Sequence, residues 1–172
     1  MIERYFPTFK VVEINKLTGR IAGHDLAQFP AAVGDVAHKT VGDYTFLENG
    51  VIVGLNKEGK IVNYKAADCA QPCLVANDEQ VGNIVSGLKY FAQEFEDGTA
   101  YPLAYPLYVG DSFVTDNFAG TASSATNAKV VDGVLTLQAA ADADTLFVVK
   151  AKALPAGQAA FQFTYVGKVV NA

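Results

Sequence analysis

The sequence predicts a mainly β fold, an antiparallel β-barrel or sandwich, and three observations predict it. β-branched and aromatic residues gather in short runs punctuated by glycine or asparagine. Two dipeptides suited to tight turns, Asn49-Gly50 and Asp132-Gly133, each lie between apolar stretches. Near the end of the chain, Phe161, Phe163 and Tyr165 alternate with Gln162 and Thr164, the two-residue period of a strand with one apolar face.

Taken in order, residues 9–15 (Phe-Lys-Val-Val-Glu-Ile-Asn) read as a strand and residues 15–20 as a turn. Residues 44–55 hold the clearest cue: Asn49-Gly50 between Tyr44-Thr45-Phe46-Leu47 and Val51-Ile52-Val53 predicts a hairpin. A second turn at 56–60 leads to another strand at 61–64. Together these predict a meander that buries one face and leaves the other to water.

The middle of the chain is mixed. Cys73-Leu74-Val75-Ala76 reads as the end of a buried strand, and 77–82 as turn or helix-start chemistry. Residues 88–95 fit both periods; strand is favoured because the run is short and bracketed by Gly87 and Gly98. Residues 101–107 carry Pro102 and Pro106, which force extended backbone and remove ladder donors. That segment reads as a connector and not as a central strand.

The β pattern resumes at 111–115. Residues 120–127 are small and polar and read as a surface loop. Lys129 to Leu137 forms a hairpin on Asp132-Gly133, and 145–151 and 159–166 are the last two strands, joined by Leu154-Pro155-Ala156-Gly157. The expected organisation is an N-terminal β module at 1–65, a connector with a short helix or strand at 66–106, and a C-terminal β module at 107–172. One combined barrel is the alternative layout.

Composition excludes several function classes. With 51% hydrophobic and 18% charged residues, the 172-residue chain is too apolar for disorder. Its formal net charge is −5 and its lysines are scattered singly, so nucleic acid is not an expected partner. No apolar run approaches the roughly 20 residues that span a bilayer, and residues 1–7 lack the features of a signal peptide. A soluble protein made in the cytoplasm, without a membrane role, is expected.

A search for catalytic or metal chemistry yields no site. The two histidines, His24 and His38, have no neighbouring nucleophile motif and read as loop or surface residues. Cys69 and Cys73 would close too short a loop for a useful disulfide and lack zinc-ligand spacing. They read as reduced thiols packed beneath a loop. Glu94, Glu96 and Asp97 read as solvated turn residues, as do Asp142 and Asp144, which lack the remaining ligands of a calcium loop. The glycines do not form a phosphate-binding fingerprint. The expectation is a non-enzymatic protein with no cofactor and no metal.

Residues 105–118 (Tyr-Pro-Leu-Tyr-Val-Gly-Asp-Ser-Phe-Val-Thr-Asp-Asn-Phe), with 130–137, 147–150 and 154–163, resemble small β-barrel proteins of tailed-phage virions. The likeness is to the head decoration, or auxiliary capsid, proteins. The matching stretches make up about a fifth of the chain. The resemblance implies a bacteriophage structural protein of the virion that docks on an assembled shell, has the capsid protein as partner, forms a homo-oligomer, often a trimer, and has no active site. Candidate contact elements are Met1 to Pro7, Tyr101 to Leu107 and Gly120 to Asn127, each otherwise an ordinary terminus, connector or loop. The alternative is a glycan-binding β module with a concave site lined by exposed Tyr101, Tyr105 and Tyr108.

Overall fold

The computed structural model describes residues 12–17, 29–76, 92–153 and 159–167. As the sequence predicts, the described chain is almost entirely β, and antiparallel pairing dominates. The strands are β1 (Val12–Lys16), β2 (Ala31–Ala32), β3 (Lys39–Val41), β4 (Tyr44–Glu48), β5 (Ile52–Leu55), β6 (Ile61–Asn63), β7 (Cys73–Val75) and β8 (Ala92–Glu94). They continue with β9 (Thr99–Ala100), β10 (Ala104–Pro106), β11 (Ser112–Thr115), β12 (Phe118–Ala119), β13 (Asn127–Val131), β14 (Val134–Gln138), β15 (Thr145–Ala153) and β16 (Ala159–Tyr165).

Three sheets result. The largest has the order β1-β11-β16-β15-β13-β14-β12, the second β10-β7-β5-β6-β2-β9, and the smallest β3-β4-β8. The pairing of β1 with β11 brings a strand from the start of the chain onto the sheet built by its last third. Two short contacts are parallel, β12 with β14 and β2 with β6.

Alternation along the strands explains the layering. In the large sheet Phe113, Phe147 and Phe163 point inward and are fully buried. Phe113 stacks on Phe163 with centroids 5.7 Å apart, and Phe147 meets each of them edge-on at 6.1 Å. Ile52, Leu74 and Tyr105 of the second sheet close this core from the other side. Their neighbours Val53, Cys73, Val75 and Ala104 turn the opposite way, into a second core with Leu47 and Phe95. The centre of the second sheet, β5 and β7, is thus buried on both faces, which is why these two strands read as unbroken apolar runs. The expected meander with one solvated face is corrected accordingly.

The Asn49-Gly50 expectation is also corrected. β4 pairs with β3 and β8, whereas β5 pairs with β6 and β7, so the dipeptide carries the chain from the smallest sheet to the second one. Gly50 has φ +84°, and a Cβ there would lie 2.7 Å from Thr115 Oγ1. The Asn117 side-chain amide donates to the Asn49 carbonyl at 2.7 Å. Tertiary packing against the large sheet, and not a hairpin, accounts for the glycine.

Other turns follow the sequence. Residues 56–60 join β5 to β6, with Asn56 Oδ1 accepting from the amides of Glu58 and Lys60. Asp132 (φ +47°) and Gly133 (φ +80°) both occupy the left-handed region between β13 and β14, as a two-residue hairpin with the right twist requires. The segment 101–107 is more than a connector: Ala104–Pro106 is β10, an edge strand on β7, and an edge tolerates proline. The polar stretch 120–127 contains a 3-10 turn at Ala122–Ser124, and Ala125 anchors it against the main core. The strand expected at 88–95 is seen as β8; its earlier part lies outside the described residues, as do residues 9–11, 77–82 and the 154–157 linker.

Candidate functional site

Two surface features stand out, and the backbone of Tyr165 joins them. The first is the turn Tyr108-Val109-Gly110-Asp111. The Asp111 amide donates to the Tyr108 carbonyl at 2.9 Å, and Gly110 takes φ +91° at the third position, the geometry of a type II turn. The Tyr108 amide donates to Asp111 Oδ2 at 2.9 Å, and Asp111 is fully buried. The Gly110 amide donates to the Tyr165 carbonyl and the Tyr165 amide to the Asp111 carbonyl, at 2.8 and 2.9 Å. On this braced loop Val109 is 71% exposed, the most exposed large apolar residue described, with Tyr108 beside it at 41%.

The second feature is a groove along the seam between the large and second sheets. It consists of two depressions of about 530 and 360 Å³ that share Lys65 and Asp132. Tyr64, Tyr165, Val131 and Leu146 line one end. Asp35, Glu58, Asp68 and Lys57 line the other. Burial, and then the neighbouring Tyr165 phenol, push the Tyr64 hydroxyl above its ordinary range; burial does the same to Tyr165. Both phenols are therefore neutral donors near neutral pH. The Tyr165 ring rests on Phe147 at 5.6 Å, which fixes its orientation.

At the rim, Lys129 donates to Asp142 Oδ2 at 2.9 Å, and Gln138 donates to the same oxygen at 2.6 Å. Asp142 Oδ1 accepts the Asp144 amide at 2.9 Å. The Lys129 ammonium holds the Asp142 carboxyl well below the usual carboxylate range. Asp142 is thus a turn organiser with protein partners, where a freely solvated turn residue was expected.

The residues singled out from the sequence do not converge. His38 is exposed, with Nδ1 3.0 Å from the Val36 carbonyl oxygen and its ring edge-on to Phe95; His24 lies outside the described residues. Glu96 and Asp97 shape a small hairpin with Gly98, in which Glu96 bridges Thr99, and Glu94 sits exposed in β8. Cys69 and Cys73 are free and buried, and burial pushes the Cys73 thiol up to about 12. Cys69 fills the space beside Gly54, where a Cβ would lie 2.6 Å from its Sγ. Among the described residues no group of three or more His, Cys, Asp or Glu converges as a metal-ligand set.

The tyrosine expectation is corrected in part. Tyr101 and Tyr108 are exposed, but Tyr105 is 5% exposed and belongs to the main core, so the three do not line a concave site. Sequence reading missed Val109, Lys65, Asp132 and Tyr64 as surface-site residues. Only the Gly110-Asp111 pair after Tyr-Val carried a local signal, the glycine and aspartate preferences of a turn. Of the expected contact elements, Met1 to Pro7 lies outside the described residues. No protein-family model, no curated protein sequence and no solved structure matches the chain.

Proposed function

We propose that this chain is a non-enzymatic virion structural protein that decorates and stabilises a tailed-phage capsid through protein–protein contacts. The observation that supports the reading is the braced turn at Tyr108 to Asp111. An apolar tip already held by hydrogen bonds at both ends loses little conformational freedom when it enters a pocket on a partner, so most of its burial becomes affinity. A Val side chain moved from water to an apolar pocket contributes on the order of 1.5 kcal/mol or more. One such contact is weak. Repeated over the copies of an oligomer on a regular shell, weak contacts sum by avidity.

The capsid as partner rests on the resemblance of residues 105–118, the stretch that contains this turn, to decoration proteins. The partners are therefore the capsid protein and further copies of this chain, and the location is the assembled virion.

Cosedimentation of the purified protein with empty capsids tests the proposal. Saturable binding at a fixed ratio per capsomer is expected, weakened tenfold or more by Val109→Asp, which puts a charge in a desolvated contact. Because Val109 is exposed, the melting temperature of that variant should match the parent. No binding to any mature shell sinks the reading, as does full binding by Val109→Asp.

A further inference from the structure

We propose that the seam groove is a binding site for a neutral, hydroxyl-rich ligand, an oligosaccharide, with Tyr64 and Tyr165 at its aromatic end and Lys65 and Asp132 at its centre. This goes beyond capsid docking, which uses the Tyr108 to Asp111 turn. Three observations carry it.

First, the strands that wall the groove are internal to their sheets. β6 pairs with β5 and β2, β13 with β14 and β15, β15 with β13 and β16, and β16 with β15 and β11. β13 pairs with β15 only through Asn127 to Lys129 and β6 with β2 only at Ile61, so the edge left beside the groove is two residues long on each strand, too short for an extended peptide to add to, and a ligand meets mainly side chains.

Second, the charges are interleaved. The carboxylates of Asp35, Glu58, Asp68, Asp132 and Asp144 line the two depressions together with Lys57 and Lys65, while the Lys129 ammonium at the rim is held by Asp142. A phosphate or sulfate ligand would face carboxylates on both sides, and a polycation would face lysines. A ligand bearing vicinal hydroxyls, each both donor and acceptor, pairs with either sign without desolvating a net charge.

Third, the aromatic end supplies what a sugar ring needs. Tyr64 and Tyr165, both half-buried against the main core, line this end beside Val131 and Leu146. Tyrosine combines an apolar body with a polar tip. The two volumes, about 530 and 360 Å³, fall within the roughly 300 to 1,000 Å³ usual for ligand sites.

The test is a heteronuclear NMR titration of the full ¹⁵N-labelled chain with malto-, cello-, xylo-, manno- and chito-hexasaccharides, and with heparin hexasaccharide and hexalysine as charged probes. At least one neutral hexasaccharide should produce saturable shifts at the amides of Lys65, Val131 and Asp132. Tyr64→Phe and Tyr165→Phe keep the rings and the fold, and each should weaken that binding by about fivefold, the loss of one hydrogen bond. The inference is overturned if no neutral sugar shifts these amides, if only a charged probe does, or if both Phe variants bind with parent affinity.

Discussion

The carbonyl of Gly133 accepts a 2.8 Å hydrogen bond from the amide of Ile52, so the tip of the β13–β14 hairpin is fastened by backbone to the second sheet. The approach is close because position 133 has no side chain: a Cβ there would overlap Asn63 Oδ1, the atom that accepts the Ala37 amide. Gly133→Ala is therefore expected to destabilise the protein by about 2–4 kcal/mol, from left-handed strain and overpacking together. Gly59→Ala, at φ +76° with open space around it, should cost only about 1–2 kcal/mol. Urea unfolding of the two variants separates these terms, and equal losses would contradict the joint.

Neighbouring residues of β16 differ in burial. Phe163 is fully buried within the aromatic cluster, whereas Gln162 is half-buried on the other face. Phe163→Ala should cost about 3–5 kcal/mol, and Gln162→Ala about 0.5 kcal/mol or less. Thermal denaturation decides it; a costly Gln162→Ala would mean that the small buried cluster of Val114 and Ala160 on that face depends on Gln162.

The Lys129–Asp142 pair sets a dependence on acid. Because the folded-state pKa of Asp142 is depressed, its contribution to stability is complete above the ordinary carboxylate value of roughly 4 and is lost as pH falls through the depressed value. Both side chains are partly exposed, so the effect on total stability is small and screened by salt. A carboxyl-carbon NMR titration should give Asp142 a midpoint below the ordinary carboxylate value of roughly 4. Lys129→Met should raise it, since the ammonium is the largest cause of the shift, and an unchanged midpoint would contradict that assignment.

Cys73 is 3% exposed with its thiol pushed up to about 12, so little thiolate exists at pH 8. Iodoacetamide is expected to leave the Cys73 peptide unmodified in native protein and to alkylate it fully in urea, as read by peptide mass spectrometry. Rapid labelling of the native protein would mean that this core opens readily.

Local chemistry in the sequence was enough for the β class, the turn at 56–60, the Asp132-Gly133 hairpin and the inward face of Phe161 and Phe163. Each depends on side-chain period or on φ preferences within a few residues. The exchange of partners at Asn49-Gly50, the burial of Tyr105 and the docking of Gly133 on Ile52 were decided by tertiary structure. An Asn-Gly pair permits a tight turn without specifying which strands flank it, and an unbroken apolar run shows that both faces are covered without naming what covers them. The same holds for the surface. Val109 on its braced turn and the groove between Tyr64 and Tyr165 bring together residues up to about a hundred positions apart, and only the packing of one sheet on the other sets those distances.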